Sequence, residues 1–122
     1  MGGPITDDEE GPNVVSEEGF RTLLDQGYQA VVRCHTEVEK QGTQWTGRWT
    51  VLVAEREGGS SRVLVSHRGQ FKPREFKTTL GLIGFIRKMG FDGVLIPLRQ
   101  GTQAVQTQAR STPPPEDATS DS

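Results

Sequence analysis

Three side chains in this 122-residue sequence have the chemistry of a nucleophile, a base or a soft metal ligand: Cys34, His35 and His67. Cys34 and His35 are consecutive in a stretch that alternates apolar and polar residues. In a strand such neighbours point to opposite faces and cannot form a dyad. His67 has no positioned third group near it in sequence. Cys34 therefore reads as a small core residue, and both histidines read as exposed sheet residues. Two histidines 32 positions apart and one cysteine match no metal-ligand spacing. The acids Asp7-Asp8-Glu9-Glu10 lack the glycine and alternation of a calcium loop. Neither GxGxxG nor a P-loop occurs, and Gly58-Gly59 reads as a hairpin turn. The expectation is a protein without a catalytic centre, metal or cofactor.

The cations are more informative. The formal charge of −2 hides a strong asymmetry. Between Gly19 and Gln100 there are 13 bases against 7 acids, a balance of +6. Between residues 59 and 91 the only acid is Glu75, against Arg62, Arg68, Lys72, Arg74, Lys77, Arg87 and Lys88. A basic body with acidic ends points to an anionic partner, with tails that screen weak binding. On strand alternation, Arg33 and His35, Arg48 and Thr50, and Arg62 and Ser66 share the solvent face of three neighbouring strands. Arg68, Lys72, Arg74 and Lys77 extend that patch along the next loop. Such arrays neutralise phosphates, and a small β-ribbon can enter a DNA major groove. Phe71 and Phe76 interleave with bases in "FKPREF", a pattern that offers stacking; Phe76, just before a helix, reads as core. The expected nucleic-acid contacts are Arg33, His35, Arg48, Arg62, Arg68, Lys72, Arg74 and Lys77, with duplex DNA as the partner.

The elements that must position these residues follow from punctuation and period. Ser16 with Glu17 and Glu18 starts a short helix over 16–26. Phe20, Leu23 and Leu24 form its apolar face, and Gly27 stops it. Tyr28 to Glu39 alternates as a half-buried strand. A turn at 41–44 leads to a second strand, Trp45 to Arg56. Glu57-Gly58-Gly59-Ser60 turns into a third, Arg62 to His67, with Val63 and Val65 inward. Thr78 caps a helix from Thr79 to Met89 whose apolar face is Leu82, Ile83, Phe85, Ile86 and Met89. Gly81 and Gly84 share a flank there, which allows close approach of another backbone. Val94-Leu95-Ile96 makes a short final strand, ended by Pro97. The predicted fold is α+β, in the order α-β-β-β-α-β: an N-terminal short helix, then a three-stranded antiparallel meander packed on one C-terminal helix, then the last strand.

The domain is expected over 16–99. Residues 1–15 carry Gly, Pro and the acid run. Residues 100–122 are polar and Pro-rich. Both are expected to be disordered, because neither can bury enough apolar surface to offset backbone ordering. No leader and no apolar run of about 18 residues is present, so neither signal peptide nor membrane span is expected. One cysteine fits a cytoplasmic setting.

The segment "RVLVSHRGQFKPREFKTTLGLIGFIRKMGFDGVLIPL", residues 62–98, resembles small proteins of bacterial plasmids and integrating conjugative elements that are labelled replication- or partition-associated, ParC-like. The shared pattern is a strand, an "RG…REFKT" link, an apolar helix ending "KMGFDG", and a final strand. The resemblance transfers no catalytic residue. It implies an accessory role in plasmid partition or replication, or more broadly in maintaining a mobile genetic element. The alternative is a protein-interaction module within a partition or replication complex, with the acidic helix 16–26, the glycine flank of the second helix or the edge strand 94–96 as its interface, and a homodimer formed through that edge strand.

Overall fold

The computed structural model describes residues 13–66, 72–107 and 109–110. Among them the chain runs β1 (Val14–Val15), α1 (Glu17–Asp25), β2 (Gln29–Cys34), β3 (Glu39–Gln41), β4 (Gln44–Ala54), β5 (Ser61–Leu64), β6 (Phe76–Thr78), α2 (Thr79–Lys88) and β7 (Gln103–Val105). The seven strands form one mixed sheet with the path β1-β5-β4-β2-β7, and β3 and β6 also pair with β4. β1 and β5 are parallel; the other pairs are antiparallel.

β4 is the spine of the sheet. Its 11 residues pair with β3 and β6 in the first half, and with β2 and β5 in the second. Its alternation sets the two faces. Cys34, Trp49 and Phe76 stand in one row across β2, β4 and β6. Val32–Val51 and Ala30–Val53 continue on the same face. Both helices cover that face. Phe20 and Leu24 of α1, and Leu82, Phe85 and Ile86 of α2, join those strand residues in one core with Met89 and Phe91. Phe20 meets Phe85 edge-on at 5.4 Å between ring centroids. Full burial of each large apolar side chain contributes roughly 1.5–3 kcal/mol, so this face carries most of the stability.

The helices start where side-chain caps allow. Ser16 Oγ accepts from Gly19 N at 3.2 Å, and Thr78 Oγ1 accepts from Gly81 N at 3.1 Å. Glu17 and Glu18 sit in the first turn of α1, and Arg87 and Lys88 in the last turn of α2, each complementing the helix dipole. Gly27 and Gly90 follow the helices with φ of 104° and 102°, a conformation that glycine adopts without strain.

The expected three-stranded meander on one helix, with α-β-β-β-α-β order, is corrected to two helices on one face of a seven-stranded mixed sheet. β1, β3 and β6 are two or three residues long, too short to show a period. β7 lies in the polar run after Gln100, and both it and β1 fall outside the range 16–99. The single strand expected over 28–39 divides, because pairing with β4 ends at Cys34 and resumes only at Glu39. Residues 94–96 are not a strand. Gln106, itself buried, accepts from Leu95 N and donates to Leu95 O, both at 2.8 Å. A side chain thus satisfies the backbone groups that a ladder would have taken.

The phase of β5 is also corrected. Leu64, not Val63 or Val65, enters the helix-side core. Val14, Val63, Leu52, Val31 and Val105 instead form one row across all five strands of the path, on the opposite face. Val31 and Leu52 are each only 7% exposed. Apolar side chains on both faces hide the alternation that would mark the phase of β5. In α2, Ile83 stands 40% exposed rather than inward.

Candidate nucleic-acid interface

The face away from the helices gathers part of the expected basic patch. Arg33 lies between Gln103 on β7 and Thr50 on β4, and its Nε donates to Gln103 Oε1 at 3.0 Å. His35 follows β2, and its backbone N–H donates to the Arg48 carbonyl. Its Nε2 lies 2.8 Å from Thr50 Oγ1. Thr50 is buried, so the imidazole is anchored to the sheet rather than free to swing. Arg48 lies on the same face by alternation from Thr50, and its Nη2 donates to the Glu75 carboxylate. Lys77 is exposed on β6, one residue after Phe76, which faces the core.

Glu75 is the acid at the centre of this group. The Arg48 hydrogen bond holds its carboxyl below the usual range. Desolvation opposes that, and the charges of Arg48, Lys77 and His35 add to it. The same hydrogen bond raises the Arg48 guanidinium further above neutrality. Arg48 and Lys77 therefore share one counter-charge beside His35, and Arg33 lies on the same face bonded to Gln103. A phosphate can replace Glu75 at Arg48 only by competing with a charge-assisted hydrogen bond.

The other expected contacts separate from this group. Arg62 pairs with Val53 and so projects to the helix side; the correction follows from the β5 phase. Arg74 is on the helix side as well. Its guanidinium lies 4.7 Å from the Phe76 ring and 5.5 Å from the Phe85 ring. Its Nη1 is 3.6 Å from Glu17, which also binds Lys88 Nζ at 2.6 Å. Arg74 therefore joins α1 to α2 and is not presented to a ligand on the sheet face. Lys72 is exposed beside Pro73, which bridges to Val65 at the sheet margin. Arg68, His67 and Phe71 lie outside the described residues, as do residues 1–12 and 111–122 of the two expected tails.

Cys34 sits in the core beside Trp49, donates its S–H to the Thr36 carbonyl, and has its thiol pushed up by burial. His35 projects from the opposite face, as adjacent strand positions require. Gln103 and Thr50 complete the basic group. Thr50 was legible from alternation, whereas Gln103 lay in a segment with no apolar period to mark it as a strand. Among the described residues no helix is long and apolar enough to cross a membrane. No protein-family model, curated protein or solved structure matches this chain.

Proposed function

We propose that this chain is a non-enzymatic accessory protein of plasmid or mobile-element replication or partition that contacts duplex DNA through the helix-free face of its sheet. The observation that carries the reading is the placement of Arg33, His35 and Arg48 on that face, with Arg48 bonded to Glu75 and Lys77 and His35 acting on the same carboxylate. Arg33, His35 and Arg48 come from β2, β4 and their immediate continuation, so a rigid scaffold presents them at little ordering cost. Arg33, Arg48 and Lys77 contact phosphates, and His35 with Thr50 offers hydrogen-bonding groups between them. Such contacts position a protein on DNA without reading its sequence.

The test is duplex binding across a salt series. Three neutralised phosphates predict a slope of log K against log salt of about −3. Arg33→Ala with Lys77→Ala reduces that slope by about 2, since each lost phosphate contact removes about 1. Absence of binding at about 50 mM salt, or a slope indifferent to both substitutions, overturns the reading.

A second reading, a protein-interaction module, is favoured by a different surface. Leu80 and Ile83 stand 68% and 40% exposed on the outer side of α2, and Leu95 is 42% exposed in the loop after it. Addition of a Cβ at Gly84, next to Ile83 in the helix, meets no atom within 4 Å. Light scattering on the wild type and Ile83→Glu tests self-association through this side. A monomer at high concentration removes the homodimer.

A further inference from the structure

At the Gln29 end of β2, the far end from His35, a cavity of about 400 Å³ opens between the C-terminal end of α1, the start of β2 and the chain after β7. Leu24 and Phe91 give it apolar walls, and Tyr28, Arg56, Thr107 and Arg110 give it polar ones. Ligand cavities commonly run from about 300 to 1,000 Å³, so this one accommodates a small organic molecule.

Both arginines are held by the inner nitrogen and leave outer nitrogens over. Arg56 Nε donates to the Gly27 carbonyl at 2.8 Å, and Arg110 Nε donates to the Met89 carbonyl at 2.8 Å. Arg110 Nη1 meets Asp25 at 2.9 Å, and its guanidinium lies 5.8 Å from the Phe91 ring centroid. Among the described residues, both Nη groups of Arg56 and the second Nη of Arg110 have no hydrogen-bond partner. Fixing Nε to a carbonyl orients the planar fork that oxyanions accept from. The Tyr28 hydroxyl is held by the Glu55 carboxylate at 3.3 Å, and Gln106, also lining the cavity, spends its amide on Leu95 and Ala104. The two guanidinium edges are therefore the cationic groups that the cavity offers, beside the uncharged side chains of Gln29 and Thr107.

We propose that this cavity binds a small molecule carrying one oxyanion, carboxylate or phosphate, on a flat apolar body. The oxyanion takes the free Nη groups of Arg56 and Arg110, and the body lies against Phe91 and Leu24. Because Asp25 already neutralises part of Arg110, Arg56 supplies most of the attraction. The site shares no residue with the nucleic-acid face and stands independently of it.

The test titrates the full chain with phenyl phosphate, benzoate and the uncharged benzyl alcohol, following the Arg side-chain Hε signals and the amides of Tyr28 and Thr107 by NMR. One or both anions produce saturable shifts with a half-point at or below about 1 mM, and benzyl alcohol produces none. Saturation by phenyl phosphate alone assigns a phosphate, and by benzoate alone a carboxylate. Arg56→Gln raises the half-point at least about tenfold, the scale of a lost hydrogen bond to a charged group. It leaves the urea midpoint near that of wild type, because Arg56 is exposed. Absence of saturable shifts from both anions up to about 10 mM, equal shifts from benzyl alcohol, or an Arg56→Gln half-point equal to wild type overturns the proposal.

Discussion

Trp49 Nε1 donates a 2.9 Å hydrogen bond to the Pro97 carbonyl inside the core, 48 residues along the chain. The indole is fully buried at the middle of β4, and Pro97 is buried in the segment that leads from α2 toward β7. One bond thus ties the sheet's longest strand to a stretch with no ladder of its own. Trp49→Phe leaves that carbonyl unpaired and empties part of the indole's space. The expected loss is about 2–4 kcal/mol, from a buried orphan acceptor plus a cavity. Urea unfolding checks it through a lower midpoint. A change below about 0.5 kcal/mol, the scale of an ordinary surface substitution, contradicts this account.

Gln106 performs the same task at Leu95, two residues before Pro97. Its amide bonds both backbone groups of Leu95, and its own backbone N–H donates to the Ala30 carbonyl on β2. Gln106→Leu keeps the volume but leaves the Leu95 N–H and C=O without these partners. Stability falls by about 1–3 kcal/mol, and the Leu95 amide loses protection against hydrogen exchange. If Leu95 exchange is unchanged, solvent or another group already satisfies it.

These two contacts also mark the parts of the fold that local sequence does not announce. The helices were legible because their caps and glycine stops are local: Ser16, Gly27, Thr78 and Gly90 each act within a turn. The central strands were legible because β2 and β4 are long enough to alternate. β7 was not, since its place beside β2 depends on Gln103 reaching Arg33 and on Gln106 reaching back to Leu95, pairings between distant polar residues. Nor was the phase of β5, because Val63, Leu64 and Val65 are all apolar and the sheet buries residues on both faces. The same ambiguity decides the side of Arg62, which pairs with Val53 and faces the helices, whereas Arg33, His35 and Arg48 belong to or flank the long strands and share a face.

The two glycines of α2 separate by their surroundings. A Cβ at Gly84 meets nothing within 4 Å, so the close approach expected of this flank does not occur there within the protomer. Gly84→Ala then gains helix propensity alone and stabilises by about 1 kcal/mol. At Gly81 a Cβ lies 3.2 Å from Thr78 Oγ1, the oxygen that caps the helix through Gly81 N. Gly81→Ala crowds that cap and gains less than Gly84→Ala, or loses stability. Paired thermal melts check the order. If Gly84→Ala is instead the more destabilising of the two, its flank is occupied, as the protein-interaction reading would have it.

The Arg48–Glu75 pair gives the sheet face a dependence on acid. The unfolded chain binds a proton at Glu75 near the ordinary glutamate value of about 4.3, whereas the Arg48 hydrogen bond holds the folded value lower. The folded state therefore gains from ionised Glu75 at any pH above the unfolded value, and loses that gain as pH falls through the lower folded one. Both side chains are substantially exposed, so the gain is small and salt weakens it. Glu75→Gln removes this part of the acid dependence, read as a flatter curve of stability against pH below about 5 at low ionic strength. The same substitution frees Arg48 without removing any cation, so on the proposed DNA-binding reading duplex DNA binds more tightly at neutral pH. Arg48→Ala does the reverse, leaving Glu75 to repel phosphate beside Lys77 and His35, and it weakens binding more than Lys77→Ala. Weaker DNA binding by Glu75→Gln, or equal losses from Arg48→Ala and Lys77→Ala, excludes this acid as the face's internal competitor for phosphate.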